Sequence, residues 1–113
     1  MDIKFSSRGS TLIIKMSGEL DQHYADIARK KMDNEIFKST TKNVIFDIRG
    51  LSFMDSSGIG IIAGRYKNIS SLKGKTAIVS SNPQINKILE MSGIFKIIPL
   101  VSTVEEAVKE LQA

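Results

Sequence analysis

The segment Asp55-Ser56-Ser57-Gly58 places a carboxylate and two hydroxyl groups directly before a predicted helix. Aspartate and serine are both favoured helix caps, so a simple cap is one interpretation of the segment. A helix start also favours an anion, because its free N–H groups and the helix dipole stabilise negative charge. A phosphoryl group on Ser56 would add nearly two negative charges there without disrupting its own helix. The segment therefore predicts either a cap or a phosphorylation site whose effect falls on a binding partner.

Three glycines, Gly58, Gly60 and Gly64, lie within the same predicted helix. A glycine in a helix interior costs about 1 kcal/mol relative to alanine, so a compensating contact is expected. Gly60 and Gly64 are four residues apart and therefore share one face of the helix. Close packing against a sheet and close approach of a partner's backbone would each explain them, and the sequence leaves both explanations open.

The remaining residues give little support to enzymatic chemistry. The glycine spacing misses the dinucleotide-binding fingerprint, and no Walker A segment is present. His23, the only histidine, lies beside Asp21 at a predicted helix start and is expected to be solvated. The chain has no cysteines, and its acidic residues lack metal-ligand spacing. We predict a protein that is not an enzyme and needs no cofactor or metal.

Length and composition predict one soluble domain spanning residues 1–113. No apolar run approaches the ~18 residues of a membrane span, and the first residues lack a secretory signal, so we expect a cytoplasmic protein without membrane contact. The formal net charge is +4, yet the basic residues are scattered. No basic stripe with interleaved aromatic residues is present, which argues against direct nucleic-acid binding. Residues 56–89 contain five basic residues, including Arg65, and no acidic residue, which would suit an acidic partner or a phosphate.

Periodicity and capping signals predict the elements that must position these residues. Asp21 is the expected cap of the first helix, and Asn82-Pro83 is a specific helix start. The predicted elements, in order β-β-α-β-α-β-α-β-α, are strands at 3–5 and 12–16 around a turn at 6–10, a helix at 21–38, a strand at 44–48, a helix at 56–72, a strand at 76–79, a helix at 82–93, an edge strand at 97–101 and a helix at 102–111.

This order predicts an α/β fold with a mixed, mostly parallel sheet, because the alternation after the first pair implies crossover connections. Binding surfaces in such sheets gather where strands end and helices begin. Two predicted loops, 17–21 and 49–57, should therefore lie near each other.

Four segments of the chain resemble the STAS-domain family of anti-sigma factor antagonists. The Asp-Ser-Ser-Gly element is typical of the whole family, and the longer stretch from Leu51 to Gly58 resembles its sporulation members. The resemblance spans essentially the whole chain and implies a single-domain STAS-like fold. The segments are Ser17-Gly18-Glu19-Leu20-Asp21, Leu51-Ser52-Phe53-Met54-Asp55-Ser56-Ser57-Gly58, Gly64-Arg65-Tyr66-Lys67 and Met91-Ser92-Gly93-Ile94-Phe95-Lys96-Ile97-Ile98.

The resemblance implies a partner-switching mechanism. The unphosphorylated protein would bind an anti-sigma factor that is also a serine kinase, with ADP or ATP bound, and release sporulation sigma factor F. The kinase would phosphorylate Ser56, and a PP2C-type serine phosphatase would remove the phosphate. The partner-binding residues implied by the family are Asp21, Asp55, Ser56, Ser57, Gly58, Ile59 and Gly60. Two alternatives stay open: an antagonist serving a stress-response sigma factor, and a STAS module that senses a nucleotide.

Overall fold

The computed structural model describes residues 1–38 and 40–112, and the predicted order of strands and helices is confirmed. A short 3₁₀ turn at Ile94–Lys96 is an addition to the predicted elements. The nine elements are β1 (Asp2–Arg8), β2 (Thr11–Leu20), α1 (Gln22–Lys38), β3 (Asn43–Met54), α2 (Ser56–Ser71), β4 (Thr76–Val79), α3 (Pro83–Ser92), β5 (Leu100–Val101) and α4 (Val104–Gln112).

The five strands form one sheet in the order β1-β2-β3-β4-β5. The pair β1–β2 is antiparallel and the other three pairs are parallel, so the predicted mixed, mostly parallel sheet is confirmed. Apolar side chains of α1, α2 and α3 pack on one face of the sheet around Phe46 and Ile78, and we call this cluster the main core. The other face is covered only in part, by the apolar stripe of α4 over Ile45 and Ala77.

Capping hydrogen bonds form at the ends of α3 and α4 that the sequence predicted. The Asn82 side chain accepts hydrogen bonds from the N–H groups of Gln84 and Ile85, and α3 ends at Gly93, whose φ of 81° is left-handed. At α4, the Thr103 hydroxyl accepts from the Glu106 N–H at 3.1 Å. The Asn82 and Thr103 side chains each satisfy an N–H group that the helix itself leaves without a partner, and the Gly93 N–H donates to the Glu90 carbonyl at the end of α3.

The prediction of loops at 17–21 and 49–57 was wrong for most of both segments, which belong to strands. Strands β2 and β3 continue to Leu20 and Met54, and two register shifts interrupt their parallel pairing. Gly18 lies at one shift with φ +97°, a left-handed conformation that glycine adopts readily. These irregularities break the apolar–polar alternation, so the segments do not have the pattern of strands.

Two further predicted boundaries shift. The first turn is confined to Gly9-Ser10, because β1 extends to Arg8. The last strand keeps its predicted place at the sheet edge but contains only Leu100 and Val101, since residues 97–99 form a turn and bend that follow the 3₁₀ turn.

Asp47 is 2% exposed on the partly covered face of the sheet and pairs with Arg49. The guanidinium donates from Nε to Oδ1 and from Nη2 to Oδ2, each at 2.9 Å, and the Arg49 N–H adds a third hydrogen bond. Burial alone would raise the pKa of Asp47, but these hydrogen bonds and the charges of Arg49 and Lys15 together lower it.

We expect Asp47→Asn to lower the free energy of unfolding by about 1–3 kcal/mol at neutral pH, since Arg49 loses its charged partner. The folded-state pKa of Asp47 is depressed, so its contribution to stability is present above the unfolded value of about 3.9 and is lost as pH falls through the folded value. Urea unfolding across this acid range should therefore show a steeper loss in the parent chain than in the variant. The matched control is Asp26→Asn, an exposed carboxylate on α1, which should change stability far less. Equal effects of the two substitutions would contradict this account.

Candidate functional site

The parallel strands β2 and β3 end side by side, and the candidate residues follow directly after their ends. Leu20 of β2 and Met54 of β3 are paired in the sheet, and the next residues are Asp21 and Asp55. The backbone pairing continues one step further, because the Asp55 N–H donates to the Leu20 carbonyl at 3.4 Å. The topology therefore brings together the two segments that the sequence had placed near each other.

Asp21 caps α1, as predicted. Its Oδ1 accepts a hydrogen bond from the Tyr24 N–H at 3.0 Å, and the side chain is half-buried.

Asp55 links the starts of two helices. Its Oδ1 accepts from the Ser57 N–H at 2.9 Å, which caps α2, and its Oδ2 accepts from the Gln22 N–H at 3.1 Å, the first residue of α1. One carboxylate thus fixes α1 and α2 relative to each other at the carboxyl end of the sheet.

Because Asp55 is the cap, Ser56 is not needed for that role. Ser56 occupies the first position of α2, is exposed, and its hydroxyl has no hydrogen-bond partner within residues 1–38 and 40–112. Ser57 is half-buried by comparison. Of the two serines, Ser56 therefore offers the more accessible hydroxyl to a modifying enzyme.

The glycines of α2 have two different environments. A Cβ atom on Gly58 would lie 2.5 Å from Met54 Cγ and 3.0 Å from Leu20 Cδ2, so this glycine allows α2 to pack onto the strand ends. A Cβ on Gly60 or Gly64 would meet nothing within 4 Å. Packing against the sheet therefore does not explain Gly60 and Gly64.

Two large apolar residues lie near Ser56 in the sequence, Ile59 and Phe53. Ile59 is half-buried at the margin of the main core. Phe53 is 47% exposed, immediately before the Met54-Asp55 pair. Sequence reasoning missed Phe53 as a candidate contact, and the available signal was a large apolar residue in a segment expected to be a loop.

The expected role of Arg65 in an acidic-partner surface was wrong. Arg65 is 7% exposed, and its Nε lies 2.9 Å from Asp33 Oδ1, an ion pair that joins α2 to α1. Burial lowers the pKa of Arg65, the nearby charge of Asp33 opposes this effect, and Arg29 adds to it. Arg65 is thus a structural residue of the helix pair.

The two segments that meet next to Ser56 carry acidic side chains although the chain is basic. Segments 17–22 and 51–60 contain the three carboxylates of Glu19, Asp21 and Asp55 and no basic residue. A basic surface would complement this site, and a phosphate on Ser56 would make the site still more negative.

The family model for the STAS domain matches residues 2–107 of the chain. The chain belongs to the STAS domain family. Within it, the chain is similar to the anti-sigma F factor antagonist of Paenibacillus polymyxa, with 38% identity over 112 residues, covering 99% of this chain and 96% of the relative. The corresponding antagonist of Lysinibacillus sphaericus is 37% identical over 84 residues, 74% of this chain and 72% of the relative. These similarities confirm the resemblance to anti-sigma factor antagonists that the motifs indicated.

Solved structures of STAS proteins share the fold described above. The unphosphorylated anti-sigma factor antagonist SpoIIAA superposes with a TM-score of 0.84 at 29% identity, covering 98% of this chain and 96% of that one. The phosphorylated form of SpoIIAA from Bacillus gives 0.74 at 30% identity, covering 96% and 98%. The fold and the antagonist family are therefore established together.

Neither a metal cluster nor a membrane span stands out in the part of the chain that is described. Residues 1–38 and 40–112 contain no group of three or more His, Asp or Glu side chains able to hold a metal ion. None of their helices is long and apolar enough to cross a membrane.

Proposed function

We propose that the unphosphorylated chain, a single cytoplasmic STAS domain, binds an anti-sigma factor that is also a serine kinase and thereby releases sporulation sigma factor F. The kinase, with ADP or ATP bound, engages the surface formed by Asp21, Asp55, Ser56, Ser57, Gly58, Ile59 and Gly60. Phosphorylation of Ser56 ends the complex, and a PP2C-type serine phosphatase restores the active form. The mechanism needs no cofactor, membrane or direct contact with nucleic acid.

The observation that carries this proposal is the exposed Ser56 hydroxyl, which lies one helical turn before the open surface at Gly60. A kinase must reach the hydroxyl, and a flat glycine surface lets its backbone approach α2 closely. The named relatives are anti-sigma F factor antagonists, and SpoIIAA has been solved in unphosphorylated and phosphorylated forms. These similarities support the choice of partner class.

The acidic surroundings of Ser56 suggest how phosphate would release the partner. A kinase surface that complements Asp21 and Asp55 is basic, and it would at first attract the added phosphate. The phosphate occupies the space in which the partner's backbone meets α2, so bulk and loss of the serine contact oppose rebinding. The Ser57 N–H is already bonded to the Asp55 carboxylate, so the phosphate does not replace this cap.

We expect Ser56→Ala to bind the ADP-loaded kinase like the parent chain and to remain bound when ATP is added. Ser56→Asp should bind roughly tenfold more weakly or worse, because its bulkier side chain fills the space in which the partner's backbone meets α2 and the serine contact is lost. Ser70→Ala is the matched control: it removes an exposed serine hydroxyl at the far end of α2, and it should be phosphorylated and released normally. Surface plasmon resonance measures the affinities, and mass spectrometry after incubation with ATP identifies the modified serine. Equal affinity of Ser56→Ala and Ser56→Asp, or phosphate on Ser57 instead, would overturn the proposal.

A further inference from the structure

The partly covered face of the sheet carries a basic groove that the proposed kinase contact does not use. The groove has a volume of about 630 Å³ and lies beside the start of α4. Strands β1, β2 and β3 line it, and its charged side chains are Lys4, Arg8, Lys15, Arg49, Asp47 and Glu105. Four basic and two acidic side chains leave an excess of positive charge.

Both carboxylates of the groove already have arginine partners. Asp47 is held by Arg49, as described above, and Glu105 Oε1 lies 3.7 Å from Arg8 Nη2. These pairs engage both arginines directly, whereas Lys15 has only a longer-range attraction to Asp47.

Lys4 and Lys15 face each other directly across the antiparallel pair β1–β2. Like charges in this arrangement destabilise a sheet. Within the described residues, Lys15 forms no ion pair, and Lys4 has only an exposed contact of 4.0 Å with Asp2. An anion bound between the two ammonium groups would remove the repulsion.

Lys4 also lies on an exposed edge of the sheet. Strand β1 is the outermost strand, so the backbone groups along its outer side can pair with another strand. Asp2, Lys4, Ser6 and Arg8 alternate along β1 with Ile3 and Phe5, which pack against the main core. An added strand would meet basic groups on one face and apolar groups on the other.

We propose that β1 and the basic groove bind an extended acidic segment of a partner protein, in which carboxylates alternate with apolar residues. The carboxylates would lie against Lys4 and Lys15 while the apolar residues extend the main core past Ile3 and Phe5. Single-stranded nucleic acid fits less well, because its bases stack on exposed aromatic side chains, and the one aromatic residue in the lining, Phe5, is half-buried against the main core.

The test uses a fluorescein-labelled heptapeptide of alternating glutamate and valine, titrated with the full chain by fluorescence anisotropy. Binding should weaken strongly when salt is raised from low to high concentration. Lys4→Glu and Lys15→Glu should each weaken binding roughly tenfold. Lys87→Glu makes the same charge change on exposed α3 and should leave the affinity unchanged. A peptide of equal composition with its glutamates adjacent, and an N-methylated peptide, should both bind poorly.

Several outcomes would overturn the proposal. Equal weakening by Lys87→Glu would mean diffuse charge attraction, and tighter binding of single-stranded DNA or inorganic phosphate would mean a different occupant. Self-association in analytical ultracentrifugation that Lys4→Glu abolishes would mean that a second copy covers β1. The result is independent of the proposed kinase contact, because Ser56→Ala should still bind the peptide and Lys15→Glu should still be phosphorylated on Ser56.

Discussion

Gly60→Arg is expected to fold as stably as the parent chain and to bind the anti-sigma kinase at least about 100-fold more weakly. Nothing lies within 4 Å of the position that a Cβ would take at Gly60, so the new side chain has room within its own molecule. Arginine also favours a helix more than glycine does, by up to about 1 kcal/mol. The loss of binding arises because a long cationic side chain stands where the partner's backbone approaches α2.

Isothermal titration calorimetry with the ADP-loaded kinase gives the affinity, and thermal unfolding gives the stability. The control is Ser71→Arg, which adds the same exposed side chain at the far end of α2, about 16 Å along the helix from Gly60. It should bind like the parent chain. Unchanged affinity of Gly60→Arg would place the kinase elsewhere, and a drop in its stability would contradict the open surroundings of Gly60.

Gly58→Val, only two residues away, is expected to have the opposite effect and to lower the free energy of unfolding by about 2–4 kcal/mol. Its Cβ would lie 2.5 Å from Met54 Cγ and 3.0 Å from Met54 Sδ, and Met54 is itself buried in the main core. Met54 and Leu20 are both fully buried, so moving either side chain aside requires its close-packed neighbours to move as well. Either α2 moves off the strand ends or the core around Met54 repacks.

Urea unfolding measures this loss, and Gly60→Val is the matched control. The two variants add the same β-branched side chain to the same helix, so intrinsic helix propensity nearly cancels between them. Gly60→Val should stay within about 0.5 kcal/mol of the parent chain. If the two valine variants were equally stable, the contact of Gly58 with Met54 and Leu20 would not be what fixes α2.

Features that depend on neighbouring residues were predictable from the sequence. Asp21 and Asn82-Pro83 mark helix starts because a cap needs only a side-chain oxygen close to the first N–H groups. The alternation of strands and helices likewise predicted a mostly parallel sheet, and hence that the segments around Asp21 and Asp55 lie together. The position of Ser56 at the start of a helix was predictable in the same way, because it lies next to a favoured cap residue.

Features that depend on distant parts of the chain were not predictable. Gly58 and Gly60 have the same residue type and nearly the same position, and only the placement of Met54 and Leu20 distinguishes them. Arg65 has the polarity of a surface residue, yet it lies inside because Asp33 of α1 lies opposite it. The ends of β2 and β3 were predicted as loops since their irregular register hides the pattern of a strand.

The hydrogen bonds that Asp55 accepts at the start of α2 bear on how a phosphorylated chain returns to its active form. Its carboxylate and carbonyl already accept from Ser57, Gly58 and Ile59, so a phosphate on Ser56 finds those N–H groups engaged. On the proposed function, the phosphate therefore forms no new hydrogen bonds with these groups, and the conformation of the modified chain stays the same. Hydrolysis of the phosphate on Ser56 then restores the active form in one step, with no conformational change to reverse.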